Sequence, residues 1–371
     1  MRVTGHMIRQ KILRNMQSAI ERLQFSQVQL ATGKRILQPS DDPIGMSKDI
    51  RVRALLADKE QFQKNIEDAL GWIDNTEPSV DQILADVVEL KEIAIRGASD
   101  TLGSPERAAL AQQVEHLIQQ IVTLSNDRYG QRYVFAGTYT LTEPYTAQRV
   151  VSSEATTLPD LEWVDLDNAR ITQGTVTVAG PMGETYAEGT DYEIDYQLGR
   201  IRRCAAGSMN PGDSFTVSYE TETICRVDLN VPDTSGIINR EIAQGVYEGI
   251  NTGGQEILAS GTDILALMIR VKTDLYRNDG IAVNQSLNEI DQAIDQVSAG
   301  LGKLGARRSA FELAMAKLDS EVVNLHSIIS SLEDADIAEV TVKFQAQQMA
   351  YESALAAAGK MMNMSLINFV Q

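Results

Sequence analysis

The chain is short of the residues from which catalytic pockets are usually built. Its 371 residues include three histidines, two cysteines and two tryptophans, and aromatics make up only 5%. His6, His116 and His326 lie in separate stretches with no second histidine or cysteine at ligand spacing, which argues against a zinc site. There is no phosphate loop, nucleophile elbow or dinucleotide fingerprint, so no cofactor is expected and no enzyme activity is assigned. No apolar run approaches the roughly 20 residues a membrane helix needs. The opening Met1-Arg2-Val3-Thr4-Gly5-His6 has no apolar core of a secretory signal. Lysine is missing from residues 138–250, where eighteen acidic residues face seven arginines. Such a surface repels phosphate, so neither nucleic acid nor membrane is an expected partner. Cys204 and Cys225 could bridge across strands, but spacing alone does not bring their backbones together, and two free thiols are the favoured reading.

The chain does have strong periodicity. Leu287, Ile290, Ile294, Val297, Leu301, Leu304, Arg308, Phe311, Met315, Leu318, Val322, Leu325, Ile329 and Leu332 follow one another at alternating steps of three and four. All but Arg308 are apolar, which predicts one long helix in a coiled-coil-like bundle. Arg308 reads as a stem laid along the seam with its head in water or on an acid. A second arm carries Val52, Leu55, Phe62, Ile66, Ala69, Ile73, Thr76, Val80, Ile83, Val87, Leu90 and Ala94. Pro78 falls inside it without disturbing the phase, so one kinked or loosened helix is expected. A third seam, Leu110, Val114, Leu117, Ile121 and Leu124, begins after Ser104-Pro105-Glu106, with Ser104 expected as the N-cap. Three such seams predict an antiparallel bundle.

The ends differ from the middle. Residues 3–33 carry a thin stripe of Ile12, Met16, Ala19, Leu23 and Leu30, interrupted by Ser26 and Gln27 and closed by Gly33. Pro39, Asp41, Asp42 and Pro43 then form a break and restart, with Asp42 as cap and Pro43 as the first helical residue. Glu333-Asp334-Ala335-Asp336 caps a last helix whose apolar positions are Ile337, Val340, Phe344, Tyr351, Leu355, Ala358, Met362, Leu366 and Phe369. Met349, Met361, Met362 and Met364 soften its other faces. Two incomplete stripes need each other or neighbouring subunits, so the termini are expected to be loose in a free monomer and to order on assembly.

Between the arms, residues from about 138 to 232 read as strands. Tyr192/Ile194/Tyr196 and Phe215/Val217/Tyr219 alternate with polar residues, and Leu198-Gly199 marks a hairpin. Residues 237–276 are expected to return to helix, with Gly245, Gly249, Gly253, Gly254 and Gly261 weakening the first part. The fold class is thus mainly α with an inserted antiparallel β domain. Five segments follow: an N-terminal helix at 1–43, half a bundle at 44–137, an outer β domain at 138–250, the other half at 251–333 and a C-terminal helix at 334–371.

Three stretches carry a resemblance. They are Arg35-Ile36 with Pro39-Ser40-Asp41-Asp42-Pro43, Tyr133-Val134-Phe135-Ala136-Gly137-Thr138, and Lys343-Phe344-Gln345-Ala346-Gln347-Gln348 with Met361 to Phe369. With the helical arms, these cover roughly residues 1–138 and 255–371. The chain here resembles the bacterial flagellar hook-associated protein 3 family, the junction members of the flagellin superfamily. Pro-Ser-Asp-Asp-Pro and the Ser-Leu-Ile-Asn-Phe ending favour a junction protein, with filament flagellin as the alternative. An enzyme on a coiled-coil stalk would need its site in residues 139–250, which contain no histidine.

The resemblance implies a homo-oligomeric ring between hook-associated protein 1 on the hook side and flagellin on the filament side. It also implies flagellar export without a cleaved signal, and an export chaperone on the C-terminal helix. Leu23, Leu30, Phe344, Met349, Tyr351, Leu355, Met362, Leu366 and Phe369 are the expected contact residues for subunits or chaperone.

Overall fold

The computed structural model describes the backbone of residues 5–370, and the side chains of Met7 and of residues 10–359. Seven helices and a set of short strands form the described chain. The helices are α1 (Gly5–Thr32), α2 (Pro43–Gly97), α3 (Ser104–Ser125), α4 (Gly254–Leu258), α5 (Ile264–Tyr276), α6 (Gly280–Glu333) and α7 (Ile337–Val370). They fall into two compact units, one of residues 1–63 with 316–371, the other of residues 64–315.

In the unit of residues 64–315, α2 runs antiparallel to both α3 and α6. Gln120 Nε2 reaches Asp86 Oδ1 at 3.0 Å, Ser79 Oγ reaches Asp127 Oδ2 at 2.6 Å, and Lys91 pairs with Asp291 at 2.6 Å. Every seam position of α2 from Ile66 to Ala94 is buried. Pro78 stays within the helix, as its phase predicted. Pro78 and Asp74 lie on the exposed face, so the carbonyl that loses its donor can meet water. Arg308 is half-buried and pairs with Glu77 at 2.8 Å, Glu312 at 3.1 Å and Asp74 at 3.3 Å, which matches its reading as a stem with an acid-paired head.

The α6 seam departs from the expected phase. Ile290, Val297, Leu304 and Phe311 are buried, but the positions between them are filled by Ala293 and Gly300, while Ile294 and Leu301 are half-exposed. A Cβ added at Gly300 would stand 2.4 Å from Ile257 Cδ1, so only the smallest residue admits α4 there. Close approach selects small residues that an apolar count overlooks. Leu55, expected on the α2 seam, is exposed, and its neighbour Leu56 is buried in its place. The α3 cap is Gly103, with no side-chain hydrogen bond, so Ser104 becomes the first helical residue rather than the N-cap.

The strands pair antiparallel in small sheets. Ser214–Glu220 is central, with Val150–Thr157 on one side and Thr177–Ala179 on the other. Tyr192–Asp195 and Arg200–Arg203 form the expected hairpin, with Asp195 opposite Arg200. Gly199 in its turn has φ +66°, and a Cβ there would lie 1.9 Å from Asn168 O. Phe215, Val217 and Tyr219 point into a core with Leu158, Leu166, Ile171, Val178, Tyr192 and Ile201. Cys204 and Cys225 are free thiols. Trp72 is buried edge-on against Tyr129, whereas Trp163 is half-exposed beneath the Arg202 guanidinium.

Residues 237–253 are not helical. Asn239–Ala243 and Val246–Gly249 pair as a hairpin, with Gly245 at φ +73° in the turn. The glycine that looked like a weak spot in a helix supplies a left-handed turn residue instead.

Candidate functional site

The unit of residues 1–63 and 316–371 holds most of the expected contact residues and both helix breaks. α1 and α7 pair antiparallel. Ser26 Oγ donates to Gln347 Oε1 at 2.6 Å, and Lys34 bridges antiparallel to Asp334. The inner stripe of α1 is Ile12, Met16, Ala19, Leu23, Ser26 and Leu30, and that of α7 is Val340, Phe344, Gln347, Tyr351, Ala354 and Ala358. Both keep the 3.5-residue spacing of a two-helix seam. Ser26 does not interrupt the stripe. It is buried within it, where its hydrogen bond to Gln347 satisfies both side chains.

The two breaks are tied to each other. Arg35 N donates to Glu333 O at 2.6 Å and Ala335 N to Gly33 O at 2.8 Å. Glu333 accepts from Lys34 Nζ at 2.6 Å and from the Arg53 guanidinium, while Arg35 also donates to Leu332 O at 2.7 Å. Gly33, at φ +70°, ends α1 by donating to Gln29 O at 2.8 Å. Asp41 Oδ2 takes the Leu37 and Gln38 amides at 3.0 and 2.8 Å, and Asp42 Oδ1 takes the Gly45 amide at 2.9 Å. That amide bond, with Arg35 nearby, holds the Asp42 carboxyl below its ordinary range. Pro43 opens α2, so Asp41 and Asp42 work as backbone acceptors, as their spacing predicted. Asp336 caps α7 in the same way through the Ala338 and Glu339 amides, at 2.9 and 3.2 Å.

The nine expected contact residues separate into groups. Leu23, Leu30, Phe344 and Tyr351 are half-buried on the inner α1–α7 seam. Met349 and Leu355 face outward, 63% and 50% exposed. Met362, Leu366 and Phe369 lie outside the residues whose side chains are described. The structure adds Leu13, Phe25, Val28, Ile337 and Val342, all exposed apolar side chains on the outer faces of the same two helices. Ile337 is among the apolar positions read from the sequence; the other four escape a reading that seeks a single stripe per helix. The available signal was that α1 and α7 carry more apolar residues than one 3.5-residue stripe can hold. Among the described residues, roughly half of the exposed large apolar side chains fall in this unit, which is under a third of the chain. It therefore offers a contact surface, while the described residues contain no group of three or more side chains suited to a metal.

Comparison with known proteins fits this geometry. Residues 3–140 match the bacterial flagellin N-terminal helical region, and residues 287–370 the bacterial flagellin C-terminal helical region. A flagellar hook-associated protein 3 of Escherichia coli is 29% identical over 151 residues, 40% of this chain and 47% of that one, so the chain spans about half the length of that relative. A flagellin of Clostridium tyrobutyricum is 21% identical over 381 residues, 95% of this chain and 97% of that one. A solved structure described as a flagellar hook-associated protein of Vibrio parahaemolyticus shares the fold, with a TM-score of 0.51 and 16% identity over 79% of this chain and all of that one. The two helical regions, matched in order on either side of a β insertion, mark this chain as a member of the bacterial flagellin superfamily, with hook-associated protein 3 among its relatives.

Proposed function

We propose that the chain is a structural subunit of the bacterial flagellum that forms a ring joining hook to filament and assembles through its terminal helices. The observation that carries this is the doubled apolar character of α1 and α7. One stripe on each is used within the pair, and a second, with Phe25, Val28, Val342, Met349 and Leu355, remains uncovered. Burying a side chain of this size contributes roughly 1.5–3 kcal/mol. These five are already about half covered, so burying the rest gives about 4–8 kcal/mol, at the low end of the roughly 4–15 kcal/mol that association costs. A single pairwise contact would be marginal, and a closed ring in which each subunit is held on two sides would not. On this reading the partners are hook-associated protein 1 at one face and flagellin at the other. An export chaperone covers the α7 surface until assembly. The inserted β domain at 138–250 faces outward, and the protein acts as scaffold rather than enzyme.

The test is to add the purified chain to hook ends and flagellin monomers. Filament growth that depends on the chain supports the junction role. Growth without it, or no growth with it, defeats that role. The end-to-end match to a flagellin favours a second reading, a filament subunit. In that case the chain alone would polymerise into long filaments.

A further inference from the structure

Within the unit of residues 64–315, a cleft of about 950 Å³ separates α5 from the inserted strands. Its helical wall includes Leu265, Ile269 and Thr273, and its strand wall includes Val151 and Val227. At the back, the strand pair Tyr145–Gln148 and Arg226–Leu229 joins the two walls, and Lys272 reaches across to Ile224 O. At the other end the hydrogen bonds come from one side chain, beside the Tyr276 ring that lies under the Arg170 guanidinium at 5.6 Å. Arg277, the C-cap of α5, donates from Nε to Leu198 O at 3.1 Å and from its guanidinium terminus to Leu166 O. Leu198 lies in the turn of the 192–203 hairpin and Leu166 directly follows the strand Val164–Asp165. One guanidinium thus spans from the helix to two neighbouring loops of the β module.

We propose that Arg277 is a releasable clamp that fastens the β module to α5 and shuts this end of the cleft, and that Asp274, three residues earlier on the same helix, is the group that releases it. The acceptors that Arg277 now uses are neutral carbonyls. A carboxylate is the stronger partner for a guanidinium, by roughly a factor of two. Asp274 is half-buried, its carboxyl accepts no hydrogen bond among the described contacts, and it lies on the turn of helix that carries Arg277. Burial pushes its carboxyl up to about 6, with Asp279 and Asp165 adding to the rise and Arg277 and Arg270 opposing it. From the strand side Glu154 also faces the clamp. Burial raises its carboxyl, against the Tyr219 hydroxyl at 2.5 Å, the Asp167 amide and the pull of Arg277. Arg270 is itself engaged by Glu289, and pairing with Arg200 at 2.7 Å offsets the charge of Asp165.

The sign follows from the raised value. Below 3.8 Asp274 is neutral with the cleft open or shut, does not compete for Arg277 and tolerates its half-buried position, so the clamp stays on Leu166 and Leu198. From 3.8 up to about 6 the carboxyl increasingly gains by hydration and by capturing Arg277 in the open form, and above about 6 this bias toward opening is complete.

Hydrogen exchange of the full-length chain, read by mass spectrometry over residues 166–170 and 195–203, tests this. Variants are compared with the wild type at the same pH, so the intrinsic pH dependence of exchange cancels. D274N is expected to exchange about tenfold more slowly than the wild type at pH 7.5 and at nearly the same rate at pH 3, where the carboxyl is protonated with the cleft open or shut. R277Q is expected to exchange faster at both, and D274N added to R277Q should have no effect, because there is no clamp left to release. Equal rates for D274N and wild type at pH 7.5, a D274N effect that persists at pH 3, or a full D274N effect in the R277Q background would each overturn the proposal. The D274N comparison stands on its own if R277Q does not fold.

Discussion

Replacing Lys272 with methionine tests how the β module is anchored to the helices. Lys272 is 2% exposed on α5 and places Nζ 3.0 Å from Glu115 Oε2 on α3. The same ammonium donates to Ile224 O, while Glu115 Oε1 accepts the Ile224 amide at 2.9 Å. Two helices and the approach to the strand Arg226–Leu229 therefore meet on one ion pair. Burial draws the Lys272 pKa down and Glu115 opposes this, so the pair offsets its own desolvation rather than adding a large surplus. Removing one partner is different, because it leaves the Glu115 carboxylate buried and Ile224 O without a donor. K272M should cost about 3–5 kcal/mol. K272M combined with E115Q removes the stranded charge, and the Gln oxygen can still take the Ile224 amide, so the double variant should recover more than half of that loss. Urea unfolding followed by the fluorescence of Trp72 and Trp163 reports on the unit that contains all these residues. A cost below about 1 kcal/mol for K272M, or a double variant as unstable as the sum of the singles, would refute the reasoning.

Other predictions follow from single sites. Asp86 is buried, with Oδ1 accepting from Gln82 and Gln120 and Oδ2 without a partner, and burial raises its pKa. Its ionisation therefore weakens the fold as pH rises above 3.8. D86N should stabilise the chain by about 1 kcal/mol at pH 7 and lose that advantage in acid, as seen by thermal melts across pH. G199A forces a positive φ on alanine and a methyl group against Asn168 O, so it should cost more than about 2 kcal/mol in the same urea assay, with the 192–203 hairpin exchanging fastest. Limited proteolysis of the monomer should trim α1 and α7 before cutting within residues 64–315, because most of their inner stripe is only half-buried. Uniform resistance along the chain would contradict that.

Much of this fold was legible because long helices repeat one signal many times. From Ile66 to Ala94 each seam residue is large or β-branched at a fixed step, apart from the two alanines, and no competing phase exists. The Asp42-Pro43 restart could be read because cap and proline act locally. Elsewhere the deciding contact was distant. Gly300 is buried on α6 because Ile257, far away in sequence, packs against it. Ser26 is a seam residue only because Gln347 stands opposite. The 239–249 hairpin has a local signal, Gln244-Gly245 between Ile242-Ala243 and Val246-Tyr247, but the several glycines nearby blur it, since together they also read as a weakened helix. In the candidate contact surface, the inner residues were found by their periodicity. The outer ones were not, because an uncovered apolar side chain has no partner in its own chain to set a phase.

The tie between Lys34 and Glu333 joins residues 299 apart in sequence. Closing a loop of that size from an unfolded chain costs roughly 5 kcal/mol in entropy, more than a few exposed ion pairs return. The cost falls sharply once Arg308 has met Glu77 and Lys59 has met Glu321, because only about 25 residues on one side and about 12 on the other then remain free. Folding is therefore ordered in time. The middle helices must find one another first, and the ends close like a zip drawn from the inside outward. A chain interrupted before that last step would already hold its β module and bundle in place, with two free apolar strips and no hairpin between them.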